Sequence, residues 1–261
     1  MFNLMKASLF LVISYVIFLP CFCYGHDITG REVAQKIYDR YIGDNSMSKV
    51  SMILVDKKGR KRERKFVSIF MEKNSLRKNF IRFLEPEDIA GTGFLSIEDK
   101  DGKTTQFLYL PALRRTRRIV SSQKGRSFVN SDFTYEDMER RRVDEFDHRI
   151  VGEKKIGDKE CFILESVPKS HTITKYSLIR SYVPKNIYLS IKTEFYNKRN
   201  ELYKILTVEK LKKIQGIWTP MLIVMENLKR KHKTILKVQE IKYNIPGIGD
   251  ELFTKRNLEN W

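Results

Sequence analysis

Cysteine is scarce in this chain of 261 residues: there are three, and two of them, Cys21 and Cys23, fall within the first 25 positions. The remaining Cys161, in the apolar run Cys161-Phe162-Ile163, has no partner for a disulfide, and one thiol on a strand offers no nucleophile–base pair. Four histidines, His26, His148, His171 and His232, are scattered without the spacing of a metal site. A phosphate-binding loop is missing as well. Asp88–Gly93 (DIAGTG) lacks the Gly-Lys-Ser/Thr ending, and Gly152–Gly157 is followed by Asp158 rather than lysine, so both read as turns. No helical pattern is long enough for a parallel crossover, and there is no internal repeat or low-complexity linker. Metal, nucleotide and thiol chemistry are thereby left without residues. The chain reads as a non-enzyme without cofactor or metal.

What is present begins with a basic segment, Met1–Lys6, an apolar run, Ala7–Leu19, a break at Pro20 and a small residue at Gly25. This is the pattern of a secretory signal peptide, residues 1–25, and the run is short for a membrane span of about 20 residues. The residues ahead of Cys21 and Cys23 are too bulky for a lipoprotein cleavage site. Cleavage would leave residues 26–261 as a single domain with 49 basic and 32 acidic residues, a formal charge of +17. In an exported protein such an excess suits acidic lipid headgroups or an acidic partner, and nucleic acid is not expected.

The mature chain opens with a helix capped by Asp27 or Thr29, its stripe being Val33, Ile37 and Tyr41 widened by Ala34 and Tyr38. From Val50 onward the period becomes two, with turns at Asp56–Gly59, Asn74-Ser75, Asp99–Gly102, Gly157-Asp158 and Asn197–Asn200. Phe80, Ile81 and Phe83 lie close enough along one strand to need cover on both faces. We expect about eleven strands, one N-terminal helix and a shorter helix around Thr134–Arg142. The architecture predicted is mainly β with some α: a single, strongly curved antiparallel sheet whose concave face is closed by the helical pieces.

One stretch stands apart. Leu110–Met138 (LPALRRTRRIVSSQKGRSFVNSDFTYEDM) packs four arginines, Arg114, Arg115, Arg117 and Arg118, into five positions, followed by Ser131-Asp132-Phe133-Thr134-Tyr135-Glu136-Asp137. Guanidinium groups clamp phosphate or carboxylate in bidentate fashion, and Asp132, Glu136 and Asp137 are near enough in sequence to be their internal partners. Both uses are open: an anion site, or a salt-bridge latch between Arg114–Arg118 and the three acids across two halves of one sheet.

The same residues, Leu110–Ile119 and Ser131–Met138, resemble the signature of the outer membrane lipoprotein-sorting protein family, the LolA-like group associated with RND-type exporters. Phe107 stands where that signature has tryptophan, and Asn130 where it has glycine. The resemblance implies an incomplete β-barrel, like that of LolA and LolB, whose apolar interior takes up acyl chains in the periplasm. Exposing an acyl chain of about fifteen CH₂ groups to water costs roughly 12 kcal/mol, so no such chain crosses an aqueous compartment unaided. On this reading Phe80, Phe83, Phe94, Phe107 and Tyr109 line the cavity, although the same residues would also make an ordinary core. The function expected is that of a carrier or chaperone for lipid or lipoprotein acyl chains, cooperating with an RND-type exporter. The alternative is an adaptor that docks on an exporter or an anionic membrane surface without carrying lipid.

Overall fold

The computed structural model describes residues 28–260. The expected signal peptide, with Cys21, Cys23 and His26, and Asp27 as a helix cap lie outside the described residues. Thr29 caps helix α1 (Gly30–Tyr38) through a reciprocal box: its hydroxyl accepts from the Glu32 backbone N–H, and the Glu32 carboxylate accepts from the Thr29 N–H. Val33 and Ala34 are the buried stripe of this helix, while Tyr41 falls beyond its end and is 57% exposed. Gly30 is required by proximity, because a Cβ there would lie 2.7 Å from the backbone of His148 and Arg149.

The strands are β1 (Asn45–Val55), β2 (Lys61–Lys73), β3 (Leu76–Glu85), β4 (Gly93–Glu98), β5 (Thr104–Leu110), β6 (Arg115–Ile119), β7 (Phe146–Ile156), β8 (Lys159–Pro168), β9 (Tyr176–Pro184), β10 (Lys192–Asn197), β11 (Leu202–Ile214), β12 (Ile217–Asn227) and β13 (His232–Tyr243). They form one antiparallel sheet in the order β6-β5-β4-β3-β2-β1-β13-β12-β11-β10-β9-β8-β7, open between β6 and β7. Every neighbour is a sequential hairpin except β1 with β13, where Ser46 stands opposite Tyr243. The expected open, curved, LolA-like sheet is what forms, with thirteen strands instead of about eleven.

Three local expectations are corrected. Arg115–Ile119 is a strand, paired with β5 from Leu110↔Arg115 to Gln106↔Ile119. It escapes the alternation rule because, as an edge strand exposed on both faces, it buries only Ile119. The helix expected around Thr134–Arg142 is reduced to a single 3₁₀ turn, Glu136–Met138. A helix absent from the sequence reading, α2 (Lys255–Asn260), closes the chain.

Both faces of the sheet are covered. On the inner face Val50, Met52, Phe66, Ile81, Phe83, Phe94, Phe195 and Met225 join Phe128, Phe133 and Tyr135 from the connection between β6 and β7. Further along that face α1 packs on Phe162, Leu164 and Val183. The outer face is closed by Phe253 and Leu258 over Ile69, Phe80, Leu95 and Phe107. Hence α2 covers the outer face, contrary to the expectation that the helical pieces all close the concave one.

Candidate functional site

The connection 120–145 leaves one edge strand, β6, and arrives at the opposite edge, β7, so it spans the open side of the sheet. Its middle is a tight hairpin: Ser127 bridges Thr134, the Phe128 N–H donates to Phe133 O at 2.8 Å, and the Ser131 N–H donates to Phe128 O at 2.8 Å. Two consecutive left-handed residues, Val129 (φ 42) and Asn130 (φ 61), make that turn possible. Asparagine therefore occupies a left-handed position where the signature has glycine, a geometry it tolerates better than most residues. The turn drives Phe128 between Phe94 (5.0 Å, edge-on) and Tyr135 (5.8 Å, edge-on). Burial pushes the Tyr135 hydroxyl up, with Arg117 opposing it.

The acids of this segment are anchored by the sheet. The Asp137 carboxylate accepts from Lys204 Nζ at 2.5 Å, from the Tyr176 hydroxyl at 2.8 Å and from the Thr134 N–H at 2.8 Å, with Arg141 at 3.4 Å. Burial alone would raise this carboxyl, but Lys204 and Arg141 outweigh it and hold Asp137 below the ordinary carboxylate range. Tyr176 moves the other way, pushed well up by burial and then by Asp137. Asp132 meets His232 Nδ1 at 2.6 Å and accepts from the Thr234 hydroxyl at 2.7 Å, and Glu136 holds the Thr174 hydroxyl and the Lys175 N–H. Ser131 and Phe133 are buried beside them.

The expected pairing of Arg114, Arg115, Arg117 and Arg118 with Asp132, Glu136 and Asp137 is thus corrected. All four arginines are exposed, none has an ion pair among the described residues, and Arg118 reaches only the Thr105 hydroxyl at 3.4 Å. Arg115, Arg117 and Arg118 sit on the edge strand β6 and Arg114 just ahead of it, whereas the acids belong to the crossing and turn toward the sheet. A latch exists, built from Lys204, Tyr176, His232 and Thr234. Lys204 was detectable: it shares strand parity with Leu206 in an apolar alternation, which aims a lysine at the interior.

The aromatic candidates divide between the two faces. Phe83 and Phe94 belong to the inner core, and Phe80, Phe107 and Tyr109 to the outer cluster beneath α2. Phe80, Phe83 and Phe94 are completely buried. The interior space lies elsewhere, in a cavity of about 330 Å³ bounded by α1, the end of the crossing and strands β7 to β11. Ala34, Ile37, Val143, Phe146, Leu164, Ile179, Phe195 and Leu206 give it an apolar wall, and Arg77, Arg140 and Arg141 stand along one side.

Arg77 and Arg140 also line a neighbouring polar groove of about 350 Å³ with Asn79, Ser96 and Glu98. Arg140 is built in: it donates to Glu98 at 2.8 Å and stacks 3.9 Å over the Tyr38 ring, with side-chain exposures of 10% for the arginine and 4% for the glutamate. The charged run Glu139–Arg149 reads in sequence as either an exposed helix end or a solvated linker. Nothing in its composition separates these inward arginines from their exposed neighbours. His148, from the same run, lies in the cavity wall with Nε2 on Val143 O (3.1 Å) and Nδ1 on the Ser166 hydroxyl (2.8 Å). Burial holds its pKa below the ordinary imidazole value. Burial also pushes the Cys161 thiol up, and among the described residues no cluster of three or more His, Cys, Asp and Glu could hold a metal.

A family model described as "Uncharacterized protein"-like matches residues 75–260. The chain is similar to a DUF1329 family protein from Desulfovibrio piger, at 28% identity and a TM-score of 0.82, over 88% of this chain and 97% of that one. It is equally similar to an outer membrane lipoprotein-sorting protein domain from Vibrio parahaemolyticus, again at 28% identity and a TM-score of 0.82, over 88% and 98%. A LolA superfamily protein from Nitrosomonas europaea shares the fold at 19% identity and a TM-score of 0.69, over 88% and 99%. No curated protein matches the sequence.

Proposed function

Because the chain belongs to the "Uncharacterized protein"-like family and has the fold of the LolA-like lipoprotein-sorting proteins, we propose that it is a periplasmic carrier or chaperone for lipid or lipoprotein acyl chains. The observation that supports this most is the apolar cavity under α1, whose volume falls in the range of about 300–1,000 Å³ usual for ligand pockets. Burying an alkyl chain there restores roughly 0.8 kcal/mol per CH₂ otherwise lost to water. Export through a cleaved signal peptide, residues 1–25, belongs to the same reading, as does cooperation with an RND-type exporter.

The test is lipid mass spectrometry on protein purified from its native envelope, together with titration of a fluorescent fatty acid. Ile179→Trp, which fills the cavity, is expected to abolish binding. Protein free of extractable lipid and without fatty-acid binding would sink the proposal.

A second reading is favoured by one specific observation, the four exposed arginines on and just ahead of β6, none of them in an ion pair among the described residues: an adaptor that docks on an exporter or an anionic membrane surface without carrying lipid. From Gly102 to Ser131 the sequence contains no acid and seven cations. Flotation with anionic liposomes and exporter pull-down, with and without Arg114→Glu and Arg115→Glu, separate the two readings. Loss of docking with fatty-acid uptake intact favours the adaptor.

A further inference from the structure

The apolar cavity carries hydroxyl groups that no protein group satisfies. We infer from them that its occupant is an acyl amphiphile bearing an oxygen function, an ester carbonyl or a hydroxyl, on the part of the chain held against β9 and β10. This rests on the carrier reading above and adds to it the chemical class of the cargo.

The groups are Ser181 on β9, Thr193 on β10 and Ser190 just ahead of it, all in the cavity wall. Ser181 and Thr193 stand directly opposite in register, on the face shared by Ile179 and Phe195. Cross-strand partners have Cβ atoms within about 5.5 Å, so two hydroxyls converge on one spot. Among the described residues none of the three side chains makes a hydrogen bond to the protein, and their hydroxyls stay open to the cavity instead of being sealed in the core. Thr193 is only 6% exposed, and what remains open faces the cavity.

Two other threonines buried on strands of the sheet are satisfied. Thr219 donates to Ile217 O and pairs with the Tyr243 hydroxyl, and Thr234 is held by Asp132. Within the cavity itself Ser166 donates to His148 Nδ1, whose Nε2–H donates to Val143 O. Within the cavity the open hydroxyls are therefore confined to the β9–β10 wall and the loop just ahead of β10. Bare hydrocarbon laid over them would leave them desolvated without compensation, which is unfavourable. An oxygen on the chain accepts from them and gives the occupant a fixed depth, the role that a few placed polar groups have in apolar pockets.

Displacement of a fluorescent fatty acid tests this with two matched pairs: a monoacylglycerol against its ether analogue, which lacks the carbonyl, and a chain-hydroxylated fatty acid against the plain one. We expect the oxygen-bearing member of one pair to bind wild-type protein about tenfold more tightly, the order of magnitude of one or two net hydrogen bonds. The pair that shows the gap tells ester from hydroxyl. Ser181→Ala with Thr193→Val should erase the gap, weakening the oxygen-bearing member while the other binds at least as tightly as before, and Ser181→Thr should retain the gap. Equal affinities in both pairs, or a gap that survives the double substitution, overturn the inference and leave the carrier reading standing. Failure of every ligand to bind the wild-type protein overturns both.

Discussion

Lys204 Nζ and Asp137 Oδ2 stand 2.5 Å apart with both side chains sealed from solvent, joining the start of β11 to the segment that crosses the open side of the sheet. The ammonium also reaches Asp132 O at 3.2 Å, and the aromatic faces of Tyr176 and Phe195 flank it at 5.2 and 5.3 Å. A lysine is buried here because a carboxylate, a carbonyl and ring faces replace its water.

Removing one partner leaves the other charge buried alone. Lys204→Met is expected to lower stability by about 3–5 kcal/mol in denaturant unfolding, and Asp137→Leu by a similar amount. The double substitution should lose less than the sum of the two, since no orphaned charge remains. Strict additivity would show that the pair does not couple.

Acid should loosen the same anchor. The Asp137 carboxyl is held low in the fold, so its contribution is present above the unfolded carboxylate value near 4 and disappears as pH falls through its lower folded value. The acid unfolding limb below about pH 4 should flatten in Asp137→Asn. An unchanged limb would assign that transition to other carboxylates.

A second titration belongs to His148. Its pKa is depressed in the fold, chiefly by burial, so the unfolded chain takes up the proton first and stability is lost as pH drops below about 6.5. The melting temperature should fall between about pH 7 and pH 5.5, and His148→Gln should weaken that dependence. A wild-type melting temperature flat across this window refutes it.

The left-handed turn makes a backbone prediction. Asn130→Gly should fold with equal or slightly greater stability, whereas Asn130→Val should lose about 1–2 kcal/mol in denaturant unfolding. Equal stability of the two variants would show that the turn relaxes out of the left-handed region.

Phe128 fills the inner core where the sequence reading placed cavity-lining aromatics. Phe128→Ala should cost about 3–5 kcal/mol. It should also raise uptake of an apolar dye, because the space it vacates is bounded by Phe83, Phe94 and Tyr135. Unchanged dye uptake would mean that the core collapses into the vacancy.

How much of this was legible in the sequence depended on periodicity. Most strands declared themselves through alternation and turn residues, and Phe80, Ile81 and Phe83 required cover on both faces and received it. Strand β6 was not legible because its arginines are exposed on both sides of an edge. The importance of Leu110–Met138 was visible, but its partners were not. Charge proximity in sequence favoured Arg114–Arg118, while the fold supplied Lys204, Tyr176, His232 and Thr234 from strands some 40 to 100 residues downstream. A cavity was expected but its place and lining were not legible, since they depend on where α1 rests across β7 to β11 and on which arginines of Glu139–Arg149 turn inward.

The pairing of β1 with β13 has a kinetic consequence. It is the one contact in the sheet that is not a hairpin, and the hydrogen bond from Asn45 to Ile245 O joins residues 200 positions apart. Each half of the meander assembles from neighbours, but the seam between them waits for the end of the chain. Long-range pairing of this kind is slow, and until it closes β1 presents a free edge beside an unfinished core. A circular permutant opened within the crossing would bring β13 and β1 far closer in sequence, joined through α2, a linker and α1. It should refold faster than the natural order, while giving up the tether that holds β6 to β7.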